Sequence, residues 1–315
     1  MLPGTTLALL ATSGTHAPGG GGLSGAELLA GLAHGLAQFS AAFTVGLGAF
    51  ALLVLFPARR RTGVSKVGEE RLGSVLLVLS GGLLLAGLVE LPVYAVRASG
   101  ESLSLGLSLE ALFGTSVGRV WLVRLAAGFL CAALLAEAIR RPSAARWLAG
   151  AAAGGVLLFT FTRQSHAVTA GGLLPVLSDL THIVAASVWM GGVLGFSLLL
   201  SGPLRKLPPE DRSRLLGAAV RRFTRVASVA VAVLLVTGLY AASLHVPSLE
   251  ALFGTPYGRA LIMKSGLLVV LLTVGAINAL DRGGEPFGRM VRAEGLLVLG
   301  VFVATGFLST LPPPG

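Results

Sequence analysis

The stretch SLEALFGTSVGR, Ser108–Arg119, returns as SLEALFGTPYGR, Ser248–Arg259, with ten of twelve positions identical at an offset of 140 residues. Arg124 and Lys264 continue the match in kind, both basic at that same offset. Earlier in each half, LAHGLAQFSAAFTVGLGAF (Leu32–Phe50) resembles LTHIVAASVWMGGVLGF (Leu180–Phe196) and aligns His34 with His182. The chain therefore reads as a tail over 1–26, a first repeat over 27–164 and a second over 165–315. In the second copy, Ser248 is suited to cap a short helix that Gly254 ends. Thr255 then caps the next helix, with Pro256 at its first position.

Composition decides what the repeats are made of. Of the 315 residues, 54% are hydrophobic and 12% charged, and mean hydropathy is +0.84. A soluble chain carries about 25% charged residues. A bilayer core about 30 Å thick takes about 20 apolar residues per helix. Segments of that kind fall at Gly31–Phe56, Leu72–Val96, Val117–Ala138, Trp147–Thr162, Leu173–Leu200, Phe223–Leu244, Arg259–Leu280 and Met290–Leu311. The expected fold is an all-α polytopic membrane protein of eight transmembrane helices. Four helices per repeat make the two repeats parallel, about an axis along the membrane normal.

The net charge of +10 is a topology signal. The first, third, fifth and seventh loops hold eighteen of the 24 Lys and Arg residues, including Arg59, Arg60, Arg61, Arg221, Arg222 and Arg225. The positive-inside rule puts those loops in the cytoplasm and both termini outside. Basic and aromatic residues do not interleave, which argues against nucleic acid. No Walker loop, zinc-protease motif or nucleophile elbow is present, so an enzyme is not expected. The one cysteine, Cys131, excludes an internal disulfide.

On this topology all five histidines, His16, His34, His166, His182 and His245, fall on the outer side. Neutral imidazole is the commonest protein metal ligand. Asp179 precedes His182 by three residues and shares its helix face, where it could ligate a metal or accept the second imidazole N–H. Gln38 lies one turn from His34. The candidate metal ligands are therefore His166, Asp179 and His182, joined by His34 and His245. Met190 is a deeper soft ligand, about 12 Å along the helix from His182, and Met263 and Cys131 could extend a descending sulfur set. Glu90 precedes Leu91–Pro92, where a broken helix could open a pathway. Its competing role is an ion pair with Arg124. Arg124 and Lys264 are expected to snorkel to the interface.

Several of these runs, DLTHIVAASVWMGG, Ser165–His166–Ala167, TGLYAASLHV (Thr237–Val246) and GTPYGRALIMK (Gly254–Lys264), resemble the copper resistance protein D (CopD) family. The resemblance is best over about 155–280. It implies copper handling, as Cu(I) or Cu(II), at the bacterial cytoplasmic (inner) membrane. Copper would move from periplasm toward cytoplasm between the two halves. It also implies a periplasmic CopC-like copper-binding partner beside the lipid bilayer, and an oligomer is compatible with it. The rival readings are a b-type haem electron-transfer protein and a non-transporting receptor for a periplasmic copper carrier.

Overall fold

A proline shapes the first span. The structure, a computed structural model, describes residues 25–64, 66–165, 171–200, 202–245, 248–281 and 300. Helix α1 (Gly25–Phe50) passes through a π-helical turn, Ala51–Leu55, into α2 (Phe56–Thr62). Pro57 has no N–H to give the carbonyl of Leu53, four residues back, and its ring crowds that carbonyl. The turn widens there, with Phe56 N–H reaching Ala51 O. Such π-turns are common at places of local strain. The orphaned Leu53 carbonyl is taken by Arg222 Nε from a distant helix.

The chain continues as α3 (Glu69–Ser99), α4 (Leu105–Gly114), α5 (Ser116–Arg140), α6 (Ala144–Thr162) and α7 (Leu173–Leu200). A 3-10 turn, Pro203–Lys206, leads to α8 (Pro209–His245), α9 (Leu249–Gly254) and α10 (Pro256–Asp281). No strand occurs among the described residues. Among the described residues six spans are long and apolar enough to cross a bilayer: Leu28–Thr62, Glu69–Ser99, Ser116–Arg140, Ala144–Thr162, Leu173–Leu200 and Pro209–Leu244. Helix α10 covers the seventh expected segment. The eighth, Met290–Leu311, lies outside the described residues, as does nearly all of the 1–26 tail.

Three details depart from the sequence expectations. Helix α3 runs unbroken through Pro92, so no helix break opens beside Glu90. Helix α8 begins at Pro209, well before Phe223, because Leu215, Ala218, Ala219 and Val220 bury one face of a basic segment. The short helix of the first repeat copy starts at Leu105, with Ser104 Oγ accepting from Leu107 N–H. In the second copy the residue matching Ser104 is Leu244, which lies in α8 and has no side-chain acceptor. The cap there is Ser248, which accepts from Ala251 N–H, and α9 is a turn shorter. Thr115 and Thr255 cap α5 and α10 in the same way, through Gly118 and Gly258 N–H.

The core is held by small residues where helices cross. A Cβ added at Gly46 would lie 2.2 Å from the Ser187 carbonyl oxygen and 2.7 Å from Gly191 Cα. One added at Gly191 would lie 2.3 Å from Gly46 Cα. At this crossing α1 and α7 meet backbone to backbone. Further along, Gly195 sits under the Phe50 ring, and toward the other end Leu180 and Ile183 pack on the cluster holding Ala37 and Ala41. The contact order makes α1 and α7 parallel. Gly192 lies against Phe223 of α8, and Gly87 of α3 against Trp121 of α5. Large apolar side chains face outward elsewhere, among them Leu77, Val78, Leu148 and Leu239, each over 70% exposed. That surface suits lipid, where packing and not hydrophobic burial brings helices together.

Replacing Gly191 by Val should therefore destabilise the bundle by about 1–3 kcal/mol, the usual cost of overpacking. Gly81→Ala, where no atom lies within 4 Å of the new Cβ, should be neutral or slightly stabilising. Thermal unfolding in detergent compares the two; equal melting temperatures would contradict the tight crossing.

Candidate functional site

Polar side chains gather at one end of the bundle, on two sets of helices. On α1, α3, α5 and α6 the centre is Arg124, which is 1% exposed. It does not snorkel. Its Nη1 donates to Glu90 Oε2 (3.2 Å), its Nε to Thr160 Oγ1 (3.2 Å) and its Nη2 to the Thr160 carbonyl and to Gln164 Oε1. The guanidinium also stands 3.9 Å over the Phe161 ring. Glu90 uses its other oxygen, Oε1, to accept from His34 Nδ1 at 2.7 Å. Gln38 Nε2 lies 3.2 Å from His34 Nε2. An ionised carboxylate only accepts, so the His34 proton is on Nδ1 and Nε2 is the acceptor for the Gln38 amide. Both nitrogens of His34 are therefore engaged.

The second set is built differently. His182 Nδ1 meets Thr237 Oγ1 of α8 at 2.9 Å. The single hydroxyl proton of Thr237 goes to the Val233 carbonyl at 2.7 Å. With that proton on Val233, Thr237 is assigned as acceptor, which places the His182 proton on Nδ1 and the lone pair on Nε2. Nε2 makes no hydrogen bond to a described residue. The imidazole edge lies beside Gly238. Asp179, one turn before His182, accepts from Ser165 Oγ at 3.1 Å, while the His182 ring is held through Nδ1 by Thr237. Lys264 of α10 lies within electrostatic reach of both His182 and Asp179.

The candidates fall into separate places. No hydrogen bond or ring contact joins His34 to His182. His166 lies outside the described residues, although it directly follows Ser165, whose hydroxyl reaches Asp179. His245 closes α8, and its side chain is likewise outside the description. Met190 is buried in the main core, Cys131 is buried with its thiol donating to the Gly150 carbonyl, and Met263 is 53% exposed. Among the described residues no three His, Cys, Asp or Glu side chains converge on one metal position. Thr237, Thr160 and Gln164 do not stand out in the sequence, where the only signal is a polar residue near the end of an apolar run.

Comparisons with known proteins agree with the motifs. The family description Copper resistance protein D matches residues 217–308, and Copper resistance protein D-like, N-terminal domain, matches residues 25–176. The chain belongs to the copper resistance protein D family. It is a multi-pass bacterial membrane protein. It is 31% identical over 291 residues to the Copper transport protein CutJ of Bacillus subtilis (strain 168), covering 89% of this chain and 53% of that one. It is 27% identical over 240 residues to Copper resistance protein D of Pseudomonas syringae pv. tomato, covering 74% of this chain and 75% of that one. The chain therefore spans about half the length of the first relative. No solved structure matches it.

The Arg124 network gives a direct stability test. Glu90→Leu leaves a buried guanidinium without its carboxylate and should cost about 3–5 kcal/mol. The double change Glu90→Leu/Arg124→Leu should recover much of that loss. Detergent unfolding of the single and double variants reads the coupling; additive losses would mean that the pair does not interact.

Proposed function

We propose that this protein carries copper inward across the bacterial cytoplasmic membrane, capturing it at the periplasmic end of α7. In this reading eight spans form two parallel repeats, with both termini outside and the basic loops inside. The observation that carries it is the bare Nε2 lone pair of His182, fixed by the Thr237 hydrogen bond and lying one turn from Asp179. A ligating histidine whose other N–H is held by a fixed acceptor is the usual design of a metal site. His166, one residue beyond the hydroxyl that holds Asp179, is the third donor, and His245 is a further candidate.

The donors at this mouth are nitrogen and oxygen. They suit Cu(II), and copper leads the divalent series at such sites. The thioether of Met190, about 12 Å deeper along α7, suits Cu(I). Asp179 brings the negative charge a bound cation needs. Lys264 balances that charge while the site is empty and is displaced from it electrostatically as copper arrives. His34, with both nitrogens taken, stays outside the capture site and serves the Glu90–Arg124 network.

Copper binding and uptake test this. Purified wild type loaded with Cu(II) should show nitrogen hyperfine structure in its electron paramagnetic resonance spectrum. His182→Ala should lose that signature and copper uptake by cells together, whereas His34→Ala should keep the signature. Equal copper content and spectra in wild type and His166→Ala/His182→Ala would remove the site. Normal uptake by His182→Ala with loss of carrier binding would point to a receptor instead.

A further inference from the structure

The other end of the bundle carries a second feature that copper handling does not use. Between α2 and α8 lies a shallow, open cleft. Arg61, Arg221, Arg222 and Arg225 line it, over a floor of Pro57, Ala58 and Ala218. Such a concentration of positive charge is self-repelling unless something negative sits in it. None of the four arginines has an acidic partner among the described residues. Glu69 is paired with Arg59 and Asp211 with Arg214.

The cleft is built, not incidental. Pro57 orphans the Leu53 carbonyl, and Arg222 crosses from α8 to satisfy it through Nε. That bond ties α8 to the π-turn beside the cleft that Arg222 helps to line. Planar guanidinium groups bind phosphate oxygens in pairs of parallel hydrogen bonds.

The surroundings say which phosphate. Leu52 and Leu53 are 40% and 38% exposed just above the cleft on one wall, and Val229, one turn beyond Arg225, is 67% exposed on the other. The cationic cleft therefore opens directly onto lipid-facing apolar surface. A free anion would gain nothing from that surface, whereas acyl chains would cover it. Basic pockets between helices on the cytoplasmic side recognise anionic headgroups in this way.

We infer that the α2–α8 cleft is a binding site for the phosphodiester headgroup of an anionic phospholipid in the leaflet on the basic side of the protein. The lipid phosphate sits among Arg61, Arg221, Arg222 and Arg225, and its chains run along Leu53 and Val229. By neutralising the cluster it lets α8 stay docked on the π-turn.

Native mass spectrometry of the full chain in non-ionic detergent tests this, with phosphatidylglycerol and phosphatidylcholine of matched chains as probes. Wild type should retain phosphatidylglycerol in preference to phosphatidylcholine. R221Q/R225Q, which leaves Arg222 on Leu53, should retain it about thirtyfold less, and R61Q on the opposite wall should fall in the same direction. R205Q/K206Q, which removes two charges outside the cleft, should bind as wild type does. Inorganic phosphate should fail to displace the lipid. Equal losses in R221Q/R225Q and R205Q/K206Q, or equal retention of the two lipids by wild type, would overturn the site. Displacement by millimolar inorganic phosphate would replace the lipid with a free anion and overturn the headgroup assignment.

Discussion

The approach of Gly46 to Gly191 is the contact on which the rest of the bundle depends. Lipid chains are as apolar as leucine, so two helices in a membrane gain little by hiding apolar side chains from it. What they gain is close packing, and that needs backbones without side chains between them. Here the gap is too small for even a methyl group on either glycine. With this crossing fixed, α1 and α7 run parallel, and His34 and His182 come to the same end of the molecule on separate partner helices. The WMGG run thus does its work through Gly191 and Gly192, against Gly46 and Phe223. Its proximity to His182 is a matter of register along one helix.

The two polar sets at that end solve one problem in opposite ways. Charge within a bilayer is expensive unless paired and hydrogen-bonded. On the α1–α3–α5–α6 side the cost is met by closure: Glu90 spends both oxygens on Arg124 and His34, and Gln38 takes the remaining imidazole nitrogen. A network with every group satisfied is rigid and has nothing to offer an incoming ion. On the α7–α8–α10 side a neutral hydroxyl, Thr237, replaces the carboxylate, and Nε2 of His182 is left open. The basic residue on that side, Lys264, forms no close ion pair with a described carboxylate. One side is structural and the other is available.

How much of this is legible in the sequence follows from which signals are local. Apolar length locates the spans, and Thr115, Ser248 and Thr255 can be read as caps because a cap is a contact between near neighbours. The start of α8 is hidden because its first turns are basic and amphipathic, and a basic run reads as loop. The π-turn is hidden because its cause, Pro57, acts on a carbonyl whose new partner, Arg222, is 169 residues away. Glu90 and Arg124 can be named as a possible pair from their charge and depth. Thr237 cannot be named, since a lone threonine in an apolar helix usually bonds its own backbone, and Thr237 does so as well. Only the shared use of that hydroxyl by His182 sets the tautomer, and that is a tertiary fact.

The same crossing that builds the bundle also closes one face of α7. Inward of His182 the face of α7 toward α1 is sealed, first by Gly191 on Gly46 and then by Phe50 over Gly195 and against Phe196 at 5.3 Å between ring centroids. An ion moving there would have to force apart a pair of backbones in contact. The open nitrogen of His182 belongs to an imidazole held from the other side, by Thr237 and Gly238 of α8, within reach of Lys264 of α10. The His182 imidazole is thus held on the α8 side of α7, away from the crossing with α1. On that side Gly192 packs against an aromatic ring, Phe223, and not against another backbone. A ring can rotate aside where a glycine backbone cannot, so the two faces of α7 differ in how far they can yield.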